Sequence, residues 1–96
     1  MSVSIARVPT HSASRYLQQL AKHWSHKMAV TFSEQEATIA FPNGATLDLR
    51  ADSETLDVRL AVSEDGEVGR MREVVASHLD RFAFREAPLT FDWQEA

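Results

Sequence analysis

The chain has 96 residues, contains no cysteine and carries a formal net charge of −4. This length suits a single domain spanning residues 1–96, and the lack of cysteine excludes disulfide bonds, thiolate nucleophiles and cysteine-ligated zinc or iron–sulfur sites. The N-terminus has no secretory apolar core and no segment reaches the roughly 18 apolar residues of a membrane span, so we expect a cytoplasmic protein with no membrane partner.

The charge is unevenly distributed along the chain. Residues 1–33 contain four lysines and arginines and no acid, whereas the remainder contains all 14 acids and six arginines. The overall acidity argues against a nucleic-acid partner, because such binding requires neutralisation of phosphates. The basic first third either attracts an anion or neutralises the acidic remainder, and the second use is the more common. A chain this short buries a modest fraction of its surface, so formation of a homodimer would be an easy way to add buried area.

The first third of the chain predicts a strand followed by a helix. Residues 2–8 alternate weakly, with Val3 and Ile5 on one side, which is typical of a short strand. Apolar residues then recur at spacings of three and four, which predicts an amphipathic helix over about residues 12–25. The members of this apolar stripe are Ala13, Tyr16, Leu17, Leu20, Ala21 and Trp24.

Four segments with period-two alternation follow, and their polar positions share one face. This pattern predicts an antiparallel sheet that is covered on one side only. Asn43-Gly44 lies between two of these segments and is a strong hairpin signal, because both residues tolerate positive φ. The alternating apolar residues are Met28, Val30 and Phe32; Ala37, Ile39 and Phe41; Leu47 and Leu49; and Leu56, Val58, Leu60 and Val62.

A second helix and a last strand complete the prediction. The helix is expected to begin at Ser63-Glu64-Asp65, because acids suit the positive end of the helix dipole. Pro88 ends any continuation, and residues 89–93 are predicted to form the strand. Six aromatic side chains are assigned to the core: Tyr16, Trp24, Phe82, Phe84, Phe91 and Trp93.

The predicted order is therefore strand, helix, four strands, helix, strand. A sheet with one apolar face and two helices with apolar stripes can bury these apolar surfaces against one another, which gives a two-layer α+β sandwich. This β-α-β4-α-β plan resembles the TATA-binding-protein-like and helix-grip architectures, a similarity that carries no information about function.

The topology bears on where the histidines lie. An even number of strands returns the chain to the end of the sheet from which it started, so the two helices must be antiparallel. His23 and His26 are then near the start of the second helix, beside Glu64, Asp65 and Glu67. His78 lies about 14 residues further along, roughly 20 Å away at 1.5 Å per residue. Its expected neighbours are instead at the opposite end: His11, Arg15, Asp80 and Arg81.

Two candidate sites follow from this arrangement. His23 and His26 are three residues apart and could ligate a transition metal, with Glu64 or Glu67 as a third ligand. An anion or metal chelate could bind near the basic residues of the first helix and of the residues that follow it: Arg15, Lys22, His23, His26 and Lys27. The alternative for both is a solvated helix end whose cations complement the dipole.

Two segments and the closing Trp93 resemble a known bacterial family. Residues 15–27, RYLQQLAKHWSHK, and residues 78–86, HLDRFAFRE, are similar to the family of unknown function DUF2218. The resemblance covers essentially the whole chain and implies no established activity. Related domains also occur fused to siderophore-interacting flavin reductases, which implies a link to iron chelates or to such a reductase as partner.

Two hypotheses about function remain. The first is a non-enzymatic binding or accessory module, linked to siderophore or iron handling, with no resident cofactor. The second is a small metal-dependent or acid–base enzyme that uses His23 and His26.

Overall fold

The computed structural model describes residues 2–63 and 66–96, which form a two-layer α+β sandwich as predicted. Two helices pack on one face of a six-stranded antiparallel sheet. Neither helix is long and apolar enough to cross a membrane. The elements are β1 (Ser2–Pro9), α1 (Ala13–Trp24), β2 (Ala29–Phe32), β3 (Glu36–Ala40), β4 (Thr46–Ala51), β5 (Thr55–Val62), α2 (Val68–Phe82) and β6 (Gln94–Glu95).

The sheet has the strand order β2-β3-β4-β5-β1-β6. The four-stranded meander predicted from the alternation is therefore correct, and β1 pairs along its whole length with β5. Gly44 adopts a φ of 90° in the turn between β3 and β4, a conformation that a residue without Cβ adopts easily. The meander starts and ends at one end of the sheet, so α1 ends and α2 begins at that end.

The core lies between the sheet and the helices. The inward side chains of β3, β4 and β5 are almost completely buried, and α1 covers them with its apolar stripe. On β1 the buried residues are Ser4, Ala6 and Val8. Val3 and Ile5 therefore lie on the open face, and Ile5 is 41% exposed. The weak alternation of this strand indicated the strand itself but not which face is covered.

Helix α2 begins later than the acids indicated. Its first residue is Val68, five positions after Ser63. The predicted N-terminal acids Glu64 and Asp65 lie outside the described residues. Helix α1 spans Ala13–Trp24, one residue shorter at each end than predicted.

The segment after α2 differs most from the prediction. Residues 89–93 do not form a strand, and only Gln94 and Glu95 pair with β1. Phe91 and Trp93 stack with ring centroids 5.7 Å apart and are half-buried against the core. Phe84 is 72% exposed, so its assignment to the core is wrong.

Candidate functional site

His23 and His78 lie together at the junction of the two helices. Their ring centroids are 5.7 Å apart, and the His78 ring is also 5.0 Å from that of Trp24. The predicted separation of about 20 Å is therefore wrong, and so is the placement of His78 beside His11 at the opposite end.

The error comes from the position of α2 along its axis and not from the strand count. The helices are antiparallel as predicted. Because α2 starts at Val68, His78 is only ten residues along it. The later start removes only about 6 Å of the predicted separation, at 1.5 Å per residue. The larger part of the error is that the last turn of α1 lies beside the second half of α2 and not beside its start; His23 also contacts Phe82 there, at 5.8 Å between centroids. Strand counting gives the direction of a helix but not its displacement along its axis.

A hydrogen bond orients the ring of His78, and burial and nearby charges change the pKa of His23. The Nδ1 atom of His78 is 2.7 Å from the carbonyl oxygen of Val74. Burial lowers the pKa of His23 below its usual value, and the neighbouring His78, Lys27 and Arg81 lower it further. Both effects favour a neutral imidazole at position 23 near neutral pH.

The other residues predicted to meet at this end, Glu67, His26 and Lys27, are arranged differently from the prediction. Glu67, the residue before α2, forms an ion pair with Arg70 of α2, at 3.5 Å between Oε2 and Nη1. His26 and Lys27 follow the end of α1 and are exposed. Among the described residues, no group of three or more histidine, aspartate or glutamate side chains is arranged to hold a metal ion.

Arg15 and Lys22 lie elsewhere, in a groove of about 710 Å³ beside α1. We call this the α1 groove. One wall is α1, and the other is formed by the β2–β3 and β4–β5 turns. The structure thus separates the predicted five-residue site into groove residues (Arg15 and Lys22), a helix-junction residue (His23) and exposed residues after the helix. The residues that line the groove include Arg15, Gln19, Lys22, Glu34 and Asp52.

The polar groups of the α1 groove are only partly paired. The Asp52 carboxylate accepts hydrogen bonds from the backbone N–H groups of Glu54 and Thr55 and from the Thr55 hydroxyl. These bonds lower the pKa of Asp52, so its charge stabilises the turn. In contrast, the buried Oε1 atom of Gln19 has no hydrogen-bond partner among the described residues.

A third cluster connects the end of α2 to the start of α1. The Glu86 carboxylate accepts hydrogen bonds from the Thr10 hydroxyl, at 3.0 Å, and from the Tyr16 hydroxyl. The sequence does not reveal this cluster, because Tyr16 fits the apolar stripe and its partner lies 70 residues away. The nearby Asp80 carboxylate accepts the backbone N–H of Leu89 at 2.8 Å. Within the segment 78–86, Glu86 and Asp80 therefore have clear structural roles.

The open face of the sheet forms a shallow concavity of about 750 Å³. Its charges alternate between neighbouring strands: Arg7 pairs with Asp57 at 3.4 Å, and Arg50 pairs with Glu36 at 2.7 Å. These groups are paired with one another, whereas Arg15 and Lys22 of the α1 groove form no ion pair with a residue in the described ranges, so the groove is better suited to attract an anionic ligand.

The comparisons with known proteins agree with this fold. The model of the family described as "Uncharacterized protein conserved in bacteria (DUF2218)" matches residues 5–94. The chain belongs to this family. It is also similar to the NMR structure of PA4090 from Pseudomonas aeruginosa, with 33% identity and a TM-score of 0.80, over 98% of this chain and 96% of that one. No significant match was found among curated proteins.

Proposed function

We propose that this DUF2218 domain is a non-enzymatic binding module and that it holds a small anionic ligand in the α1 groove. One observation carries the proposal: Arg15 and Lys22 line the same groove, and neither forms an ion pair with any residue in the described ranges. Two cations on one helix face, seven residues apart, point in nearly the same direction and can contact one ligand.

The N-terminal half of α1 supports an anionic ligand. Its first turn contains no acidic residue, so the positive end of its dipole is not compensated from within the helix. Arg15 lies in that turn. An anion in the groove would therefore interact with the helix terminus and with the guanidinium group together.

The groove also favours a ligand with hydrogen-bond donors. Asp52 lines the groove, and its carboxylate, whose pKa is lowered, is an acceptor there. Glu34 adds a second acceptor at the rim. A ligand that is anionic on one side and carries N–H or O–H groups on the other fits this mixture better than a simple inorganic ion.

An iron chelate of the siderophore class has this chemistry, since it joins anionic oxygen ligands to amide groups. The choice of this class comes from the resemblance to domains that occur with siderophore-interacting flavin reductases, and such a reductase is the corresponding candidate partner. The geometry of the groove supports a ligand that carries negative charge and hydrogen-bond donors.

Nuclear magnetic resonance titration with gallium(III) chelates tests the proposal, because gallium is a diamagnetic substitute for ferric iron. A gallium catecholate and a gallium hydroxamate should shift amide signals of α1 and of the two turns. Arg15→Gln and Lys22→Gln should each weaken binding about tenfold, which corresponds to about 1.4 kcal/mol. Lys27→Gln is the matched control, because it removes a cation of the predicted patch that lies outside the groove.

The result that overturns the proposal is equally specific. If neither chelate nor inorganic phosphate shifts the groove signals at millimolar concentration, the groove does not bind anions. If Lys27→Gln weakens binding as much as Arg15→Gln, a diffuse basic surface and not the groove attracts the ligand.

A further inference from the structure

The helix junction contains a second candidate site that is independent of the α1 groove. We infer that His23 and His78 together bind a divalent transition metal such as Zn²⁺, Ni²⁺ or Cu²⁺. This pair differs from the His23–His26 pair that the sequence spacing predicts, since its members come from two different helices.

The distance between the rings fits a shared metal ion. A metal–nitrogen bond is about 2.0–2.1 Å long, so two imidazoles on one metal have ring centroids about 5–6 Å apart. The centroids of His23 and His78 are separated by 5.7 Å. Both rings are only partly buried, so a metal ion and its remaining water ligands have access to them.

The hydrogen bond of His78 fixes which nitrogen is available. A carbonyl oxygen can only accept, so the Nδ1 atom must donate its proton to Val74. The neutral ring then carries its lone pair on Nε2, which is the atom left for coordination. Histidine ligands of metals commonly donate their other ring N–H to a carbonyl in this way, and the bond orients the ring.

Aromatic neighbours restrict both rings. Trp24 lies 5.0 Å from the His78 ring, and Phe82 lies edge-on to His23 at 5.8 Å. Restricted rings lose less conformational entropy when a metal binds.

The surrounding cations limit the affinity. Lys27, Arg81 and His26 all act on His23 and oppose a second positive charge. We therefore expect coordination by two imidazoles and water, with affinity well below that of a closed structural zinc site. Nickel and copper should bind more tightly than manganese, following the general order for nitrogen ligands.

Isothermal titration calorimetry with NiCl₂ and ZnCl₂ tests the inference, and the four histidines of the chain provide a complete variant set. His23→Ala and His78→Ala should each weaken binding at least about tenfold. His26→Ala and His11→Ala are the matched controls, and their metal affinity should stay within about twofold of that of the wild type. Amide spectra of each variant show whether it is folded.

A second measurement keeps the test independent of variant folding. In the wild-type protein, paramagnetic Ni²⁺ should broaden the ring signals of His23 and His78 before those of His26 and His11. Loss of binding in His26→Ala with retention in His78→Ala would overturn the inference in favour of the sequence-adjacent pair. Absence of binding to the wild type at millimolar metal would overturn it outright.

Discussion

Removing the Tyr16 hydroxyl should destabilise the domain measurably, because that hydroxyl connects α1 to the segment after α2. Tyr16 is 6% exposed and Thr10 is 5% exposed, and both donate to the Glu86 carboxylate. Tyr16→Phe keeps the ring in the core and removes only the hydrogen bond.

The size of the effect follows from the environment of each partner. A hydrogen bond to a charged group contributes about 1.5–3 kcal/mol. Glu86 is exposed and can regain water when Tyr16 no longer donates, so the lower part of that range applies. We expect a loss of about 1.5–2 kcal/mol, which for a domain of this size lowers the melting temperature by about 6–16 °C.

Urea unfolding followed by circular dichroism measures this loss, and a double-mutant cycle with Glu86→Gln isolates the pair. The coupling should be about 1 kcal/mol. Ser14→Ala is the control, since it removes an exposed hydroxyl of the same helix that donates to the Glu34 carbonyl. The reasoning is refuted if Tyr16→Phe costs no more than Ser14→Ala, or if the two changes at positions 16 and 86 are additive.

The same pair has a spectroscopic consequence. Glu86 and burial raise the pKa of Tyr16, which is the only tyrosine of the chain. Tyrosinate absorbance therefore reports this one residue. Glu86→Gln should shift its titration towards lower pH, provided that the domain stays folded over the titrated range.

Three further predictions concern other contacts. Leu79→Ala should cost about 2.7–5 kcal/mol in urea unfolding, because the side chain is fully buried and its removal leaves a cavity; a cost below 1 kcal/mol would show that α2 is loosely packed. The pKa of His23 is lower in the folded protein, so the unfolded chain binds a proton at this residue more readily. The free energy of unfolding should therefore fall as the pH drops through about 6.5, the pKa of an unperturbed histidine. His23→Gln should flatten this slope between pH 7 and 5. An unchanged slope in that variant would assign the proton uptake to another group. Asp80→Ala should cost about 1 kcal/mol and accelerate hydrogen exchange at the Leu89 amide, which donates to it; unchanged exchange would contradict this contact.

The helices and strands with a periodic apolar pattern were predictable, because that pattern depends only on residues close together in the sequence. Alternation in β3, β4 and β5 identified the buried face, and the stripe of α1 identified nearly the exact helix. Strand β1 was ambiguous, because Val3 and Ile5 are apolar on the open side whereas Ser4 is buried on the other. Ser4 is tolerated inside because its hydroxyl accepts a hydrogen bond from Nε of Arg72 at 2.9 Å, and this partner lies 68 residues away.

The candidate sites were less predictable, because they depend on how the elements are displaced relative to one another. His23 and His26 are neighbours along the chain, yet His23 contacts His78 on the other helix. The basic cluster was predicted as one site from its sequence position, although two of its members, Arg15 and Lys22, line a groove with the β2–β3 and β4–β5 turns and His23 contacts α2. A shift of one helix by a few residues changes which side chains meet without changing the hydrophobic pattern.

The two proposed sites should act independently, because they lie on different flanks of α1. Successive helical residues are about 100° apart, so Lys22 faces the turns while His23 faces α2. Arg15→Gln should leave the nickel affinity unchanged, and His78→Ala should leave chelate binding unchanged, both measured by calorimetry on the folded variants. Coupling above about 0.5 kcal/mol would exceed what separate sites normally show. It would mean that one ligand contacts both flanks across the exposed end of α1, which would unite the groove and the histidine pair into a single site.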